Sequence, residues 1–121
     1  MKKENGKGLA GKWKYTENYG FGTAEGELML EQEGNTLSGR IIFTEKGDEE
    51  EPFMIQEFLT GKIEDLKVSL EAKEFDVIHA EHNIHYELDS FFGIWVDENT
   101  IKGISTDEQG VEGNFVFQRI G

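Results

Sequence analysis

The sequence contains no cysteine, a single proline and no long apolar run. Without cysteine the chain has no disulfide, no zinc-thiolate site and no thiol nucleophile. Exported proteins can also lack cysteine, so this absence leaves the compartment open. No apolar stretch approaches the ~20 residues that a membrane helix needs, and we expect no membrane insertion.

The amino terminus lacks the apolar segment of a signal peptide. Met1, Lys2 and Lys3 are followed by polar residues 4–7 where that segment would stand. The protein is therefore cytoplasmic if Met1 is its native start, or exported if a leader was removed before this chain was made. We expect residues 1–121 to form a single domain with a flexible amino terminus over residues 1–8.

Positive charge is scarce in this chain. Twelve lysines and arginines stand against 25 acidic residues, which gives a formal net charge of −13. Such a surface repels phosphate backbones and anionic lipid headgroups. We therefore expect no nucleic-acid partner.

Glycine and phenylalanine are abundant. Fifteen glycines and nine phenylalanines against one proline favour short strands and tight turns over helices. Apolar residues at period two mark eight candidate strands. The candidates cover residues 9–15, 25–33, 37–44, 53–63, 67–73, 84–96, 100–106 and 113–119, and residues 75–83 fit a bend, a helical turn or a bulge.

The connections between these candidate strands are mostly short. Short connections make consecutive strands antiparallel neighbours, and closure of such a sheet removes both exposed edges. The sequence therefore predicts an all-β fold, an eight-stranded antiparallel up-and-down barrel in which the strands form a meander.

Trp13 and Arg119 belong to the first and last strands, which are neighbours in a closed meander. Both face inward near the same end of the predicted barrel. An arginine above an indole gains cation–π attraction of roughly 0.5–2 kcal/mol. We expect this pair to be structural and to close one mouth, leaving the other open.

The triplet Gly11-Lys12-Trp13 matches the G-x-W signature of the lipocalin-like calycins, and Arg119 matches the basic residue that packs on its tryptophan. Segment 30–39 is similar to hairpins of small bacterial lipocalin-like domains. From about residue 9 to residue 120 the chain resembles this superfamily of small ligand-binding barrels. The resemblance implies a ligand inside the barrel, but no biotin site, because avidin's biotin-contacting residues are not matched.

Glu57 shares a strand face with Phe53, Ile55 and Leu59, all predicted to point inward. A buried lone carboxylate costs several kcal/mol unless it is paired or protonated. One interpretation makes Glu57 a polar anchor for a ligand. Another turns it outward through a register shift, or pairs it with Arg40 or a lysine.

Several aromatic residues are not clearly buried by strand parity. Some of them can line the open mouth, while Phe91 and Trp95, on the predicted outer face of the sixth strand, suggest a homodimer contact. The candidate pocket residues are Glu57, Tyr15, Phe21, Ile55, Tyr86, Phe92 and Phe115.

His79, His82 and His85 form a weak metal-site candidate, because imidazole nitrogens bind zinc or nickel. Their spacing is not that of a known zinc enzyme, and three surface histidines in an acidic loop explain it as well. We expect no cofactor.

Three classes of function remain open. The favoured one is non-enzymatic binding of a small, partly apolar or amphipathic molecule in the barrel interior. The alternative is a ligand-free structural or protein-interaction module with an outer aromatic patch. An enzyme is disfavoured, because no nucleophile stands beside a base and no phosphate-binding loop is present, although acids around Glu57 can transfer protons. A cavity of roughly 300 Å³ or more opposite Trp13 would favour ligand binding.

Overall fold

The computed structural model describes residues 8–47, 51–81 and 86–121. Within these ranges the strands pair in chain order and the last pairs back with the first, which closes an antiparallel meander barrel. The predicted fold is therefore confirmed. The strands are β1 (Gly11–Asn18), β2 (Gly22–Glu33), β3 (Thr36–Gly47), β4 (Phe53–Glu64), β5 (Lys67–His79), β6 (Asp89–Asp97), β7 (Thr100–Asp107) and β8 (Glu112–Arg119).

Tight turns set the order of the strands. Gly34, with a φ of 62°, lies in the two-residue connection between β2 and β3, and Asp65, with a φ of 56°, lies in the connection between β4 and β5. Positive φ is what such short hairpin connections require. The barrel is closed by a register in which Trp13 lies opposite Arg119 and Asn18 lies opposite Asn114.

Aromatic rings pack against one another in the barrel interior. The ring centroid of Tyr15 lies 5.4 Å from that of Phe43 and 5.7 Å from that of Phe117. The rings of Phe91 and Phe115 meet edge to face at 5.2 Å. These side chains are at most 2% exposed and pack closely against one another.

The segment that the sequence leaves ambiguous is mostly strand. β5 continues to His79, and its pairing with β4 shifts register between Phe58 and Leu59 and again between Met54 and Ile55. The bulge interpretation is therefore correct for residues 75–79. Glu57 lies between the two shifts, points inward and is fully buried, so the alternative in which a shift turns it outward is wrong.

The sixth strand begins later than predicted. Residues 86–88 lie outside the strand, and β6 starts at Asp89. The predicted strand runs without a break from residue 84, and its alternation places Phe92 on the inner face. A one-residue slip exchanges the two faces of a strand. Phe91 is in fact 1% exposed in the core, and Phe92 is 56% exposed on the outer wall.

This slip corrects two predictions. The prediction of a homodimer contact through Phe91 and Trp95 is wrong, because these side chains do not form an outer surface. Phe91 is buried, and Trp95 packs against the core on the same face of the strand. Phe92 does not belong to a pocket, because it points outward beside Ile104 of β7.

Some predictions fall beyond the described ranges. These are the flexible amino terminus, of which only Gly8 is described, and the side chains of His82 and His85. In the part of the chain that is described, no helix is long and apolar enough to span a membrane.

Candidate functional site

One end of the barrel is closed by Trp13 and Arg119, as the sequence indicates. The guanidinium carbon of Arg119 lies 4.3 Å from the centroid of the Trp13 ring. The guanidinium donates to the carbonyl oxygens of Gly8 (2.7 Å), Ala10 (3.1 Å) and Glu98 (3.1 and 3.2 Å). The Trp13 indole N–H donates to the carbonyl of Leu9 at 3.0 Å, so no polar group of the indole is left unpaired.

The opposite end holds an open cavity of about 690 Å³. It lies where β1, β3, β5 and β7 end and where β2, β4, β6 and β8 begin. β5 pairs with β6 from Lys67 to Glu71, so among the described residues the pairing between these two strands ends there. Tyr86 lies in this part of the wall, with its ring 5.1 Å from the ring of Phe75.

Glu17 projects into the cavity from the end of β1. Its two carboxylate oxygens accept hydrogen bonds from the hydroxyls of Tyr15 and Ser105, which hold the carboxylate in place. A β-carbon on Gly113 would overlap this carboxylate, so glycine at 113 leaves room for it. Burial, and then the neighbouring charge of Glu17, raise the pKa of Tyr15 well above its usual value. Tyr15 is therefore a hydrogen-bond donor at neutral pH.

Glu57, Tyr86 and Asp89 form a second group of hydrogen-bonded polar side chains. The Tyr86 hydroxyl lies 3.0 Å from Oε2 of Glu57 and 2.7 Å from Oδ2 of Asp89. The backbone N–H of Asp89 donates to Oε2 of Glu57 at 3.4 Å. Tyr86 and Asp89 line the cavity, and Glu57 lies one step deeper, four residues along β4 from Phe53 at the mouth.

Glu57 holds a proton at neutral pH. Burial raises its pKa to about 9, with a further contribution from the charge of Asp89. A hydroxyl has one proton and cannot donate to two carboxylates. The geometry therefore suits two consecutive hydrogen bonds: the Glu57 carboxyl donates to the Tyr86 hydroxyl, and the Tyr86 hydroxyl donates to Asp89. Burial also raises the pKa of Asp89, to about 7.

A third hydroxyl–carboxylate pair lies at the rim, where Tyr19 donates to Oε1 of Glu45 at 2.8 Å. The ring of Phe21 meets that of Tyr19 edge to face at 5.0 Å. No lysine, arginine or histidine is among the described lining residues. Eight of the described lining residues carry carboxylates: Glu17, Glu45, Glu51, Glu81, Glu87, Asp89, Asp107 and Glu112.

The predicted pocket residues divide into three groups. Tyr15, Phe21 and Tyr86 line the cavity. Glu57 lies behind that lining, while Ile55 and Phe115 are buried in the core. Phe92, as described above, lies on the outer wall.

Sequence reasoning missed Glu17, Ser105 and Asp89. The predicted first strand stopped at Tyr15, whereas two more residues of the same alternation place Glu17 inward. Asp89 was assigned to the outer face by the slip in the sixth strand. The only signal for Ser105 in the sequence is its spacing: it lies four residues after Ile101 on β7, so both side chains point to the inner face.

The histidine candidate is incomplete in the described residues. His79 is at the end of β5, with Nε2 3.7 Å from Oε1 of Glu81. Among the described residues no group of three potential metal ligands is found. Because His82 and His85 lie outside those residues, the metal hypothesis stays a prediction.

The fold and the cavity together define a class: a closed eight-stranded antiparallel barrel with one sealed and one open end. Solved structures with this fold include a redesigned β-barrel, mFAP1, bound to DFHBI, with a TM-score of 0.64 and 14% identity over 92% of this chain and 94% of that chain. The redesigned barrel mFAP0, also bound to DFHBI, has a TM-score of 0.59 and 17% identity over 92% of this chain and 98% of that chain.

A third similar structure is a de novo designed fluorescence-activating β-barrel. Its TM-score is 0.57, with 10% identity over 93% of this chain and 94% of that chain. At such low identity these likenesses show the fold alone. No protein-family model and no curated protein matches the sequence.

Proposed function

We propose that the protein binds a small, partly apolar molecule, without catalysis, in the open end of its barrel. The observation that carries this proposal is the cavity of about 690 Å³ opposite the Trp13–Arg119 closure. Ligand pockets of drug-sized molecules span roughly 300–1,000 Å³ and combine apolar walls with a few placed polar groups.

The lining has that composition. Six aromatic rings give the cavity apolar faces, namely Tyr15, Tyr19, Phe21, Phe43, Phe53 and Tyr86. Hydroxyl–carboxylate pairs provide fixed polar groups between them. An eight-stranded barrel is wide enough to hold one small ligand, and two of the similar barrels are described as bound to DFHBI. A ligand in the barrel is also what kinship with the lipocalin-like calycins would imply.

The test is a titration with Nile red, a neutral apolar probe whose fluorescence rises in apolar surroundings. Ala24 is buried and lines the cavity, so Ala24→Trp fills space that a ligand would use. We expect the wild-type protein to bind the probe and Ala24→Trp to bind it at least tenfold more weakly. Thr60→Trp, on the exposed outer face of β4, is the matched control. Equal binding by both variants, or none by the wild type, contradicts the proposal.

A second candidate function has its own observation. Phe92 and Ile104 lie opposite each other on β6 and β7 and are 56% and 47% exposed, with Ile94 beside them at 44%. Exposed apolar side chains in one patch favour protein association. Sedimentation of wild type and Phe92→Ser tests this: an association that the substitution abolishes supports a protein-interaction role, and a monomer at all concentrations removes self-association through this patch.

A further inference from the structure

We propose that a proton on the Glu57 carboxyl regulates the cavity: while it is present Tyr86 stays in the cavity wall, and its loss at alkaline pH releases Tyr86 and weakens ligand binding. This inference rests on the proposed function and deepens it by naming how the site is regulated. The residues concerned are Glu57 on β4, Asp89 at the start of β6 and Tyr86, three residues before Asp89.

The hydroxyl of Tyr86 lies between two carboxyl groups. Its oxygen is 3.0 Å from Oε2 of Glu57 and 2.7 Å from Oδ2 of Asp89. One hydroxyl proton can serve only one of these contacts, so the other needs a proton on a carboxyl oxygen. Glu57 is fully buried whereas Asp89 lines the cavity. Because burial disfavours the charged form, the proton belongs on Glu57.

Glu57 also connects β4 to the segment that contains Tyr86 and Asp89. The backbone N–H of Asp89 donates to the same Oε2 at 3.4 Å. The ring of Tyr86 lies 6.3 Å from that of Phe53 on β4 and 5.1 Å from that of Phe75 on β5. Because Tyr86 lines the cavity, its position sets part of the cavity's shape and of its apolar surface.

Ionisation of Glu57 puts these contacts in conflict. Two carboxylates then face one hydroxyl proton, and like charges repel strongly where burial limits screening. The Tyr86 hydroxyl keeps its shorter contact, with Asp89, and loses the donor that Glu57 supplied. β4 is paired along its length with β3 and β5, whereas Tyr86 lies outside the strands. The repulsion is therefore relieved by movement of Tyr86 away from β4, which leaves a more charged and less aromatic wall.

Other ionisable groups surround this cluster. In addition to burial, the charges of Glu17 and Glu45 raise the pKa of Asp89, which is about 7. Burial, with the charge of Asp89, raises the pKa of Glu57 to about 9. Between pH 8 and pH 10 Asp89 is therefore already ionised while Glu57 loses its proton. The further groups that face the cluster or the cavity are Tyr15 on β1, Glu51 before β4, Glu81 after β5, Glu87 beside Tyr86, Asp107 on β7 and Glu112 on β8.

The first test follows the Tyr86 ring without any ligand. NMR spectra of the full chain at pH 8 are expected to show Overhauser contacts between the rings of Tyr86 and Phe75, and these contacts should be lost at pH 10. Glu57→Gln offers an amide N–H donor in place of the protonated carboxyl and does not titrate, so it should keep them at both values. Glu33→Gln, at an exposed position at the end of β2, should behave as wild type.

The second test measures Nile red binding at pH 8 and pH 10. The probe is neutral, so a change in affinity reports on the protein. We expect wild type and Glu33→Gln to bind at least fivefold more weakly at pH 10, and Glu57→Gln to change by less than twofold. If Glu57→Gln fails to fold, as judged by circular dichroism, Asp89→Asn is measured in its place. With one carboxylate left, the Tyr86 hydroxyl can donate to ionised Glu57, and the same flat profile is expected.

The outcomes separate this inference from the function on which it rests. If wild-type affinity is the same at pH 8 and pH 10, the regulation is overturned and ligand binding stands. An equal loss in wild type and Glu57→Gln assigns the effect to another group and also overturns it. If Nile red binds at neither pH, the proposed function fails. The ring contacts then decide the release of Tyr86 by themselves, and their persistence in wild type at pH 10 overturns it.

Discussion

Arg119 makes the contacts that hold the closed end together. Its planar guanidinium stacks on Trp13 and donates to the carbonyls of Gly8, Ala10 and Glu98. A lysine ammonium offers three donors from a single point and cannot reproduce this fork. The residue therefore links the start of β1, the end of β8 and the turn after β6.

We expect Arg119→Lys to lower the free energy of unfolding by about 1–3 kcal/mol, the sum of lost hydrogen bonds and cation–π attraction. Urea denaturation followed by tryptophan fluorescence measures the change. Arg40→Lys, at an exposed position on β3, is the matched control and should change little. A loss at Arg119 no larger than that at Arg40 would show that the pair contributes nothing to closure.

Glu57 gives the stability of the protein a pH dependence whose sign is fixed by its raised pKa. The carboxyl binds its proton more tightly in the folded state, with a pKa of about 9, than in the unfolded chain, where the pKa is about 4.5. Stability therefore falls as the pH rises between these two values. Above pH 9 the contribution levels off.

Glu57→Gln keeps the shape of the protonated side chain and removes the titration. We expect the variant to be more stable than wild type at pH 7, by on the order of a few kcal/mol. The difference should shrink towards pH 4.5. Thermal unfolding from pH 4.5 to 9 measures it, with Glu33→Gln as the control, and parallel curves for wild type and Glu57→Gln would contradict the assignment.

At the scale of the strands, several glycines allow neighbouring backbones to approach closely. A β-carbon at Gly61 on β4 would overlap the carbonyl oxygen of Ser69 on β5. Backbone cannot move aside as a flexible side chain can.

We expect Gly61→Ala to cost about 1–3 kcal/mol, as overpacking in a closed structure does. Gly121→Ala adds the same methyl group at the chain's last residue, where the nearest atom is Cβ of Lys12 at 3.5 Å, and is the control. Chemical denaturation of both variants measures the difference. Equal stability of the two would mean that β4 and β5 can separate without cost.

The elements that the sequence predicts well are those with uninterrupted alternation. Leu28 and Leu30 on β2, or Leu37 and Ile41 on β3, are buried as their spacing indicates. The closure of the barrel could also be predicted, because Trp13 and Arg119 lie on the first and last strands and their contact requires these strands to be neighbours. Alternation cannot carry the assignment of inner and outer faces across a break, however. Residues 86–88 lie outside the strand, so Phe91 and Phe92 were assigned to the wrong faces. The site was partly missed for the same reason: its carboxylates lie at strand ends, where apolar periodicity has already stopped.

At the scale of the whole molecule, net charge and barrel shape both affect which small molecules enter the cavity. The chain has a formal net charge of −13, and the residues described at the open mouth include eight carboxylates that line the cavity. Acidic clefts with low-dielectric walls concentrate cations and repel anions, and salt weakens both effects. Nile red is neutral, so we expect its dissociation constant to stay nearly constant as sodium chloride is added.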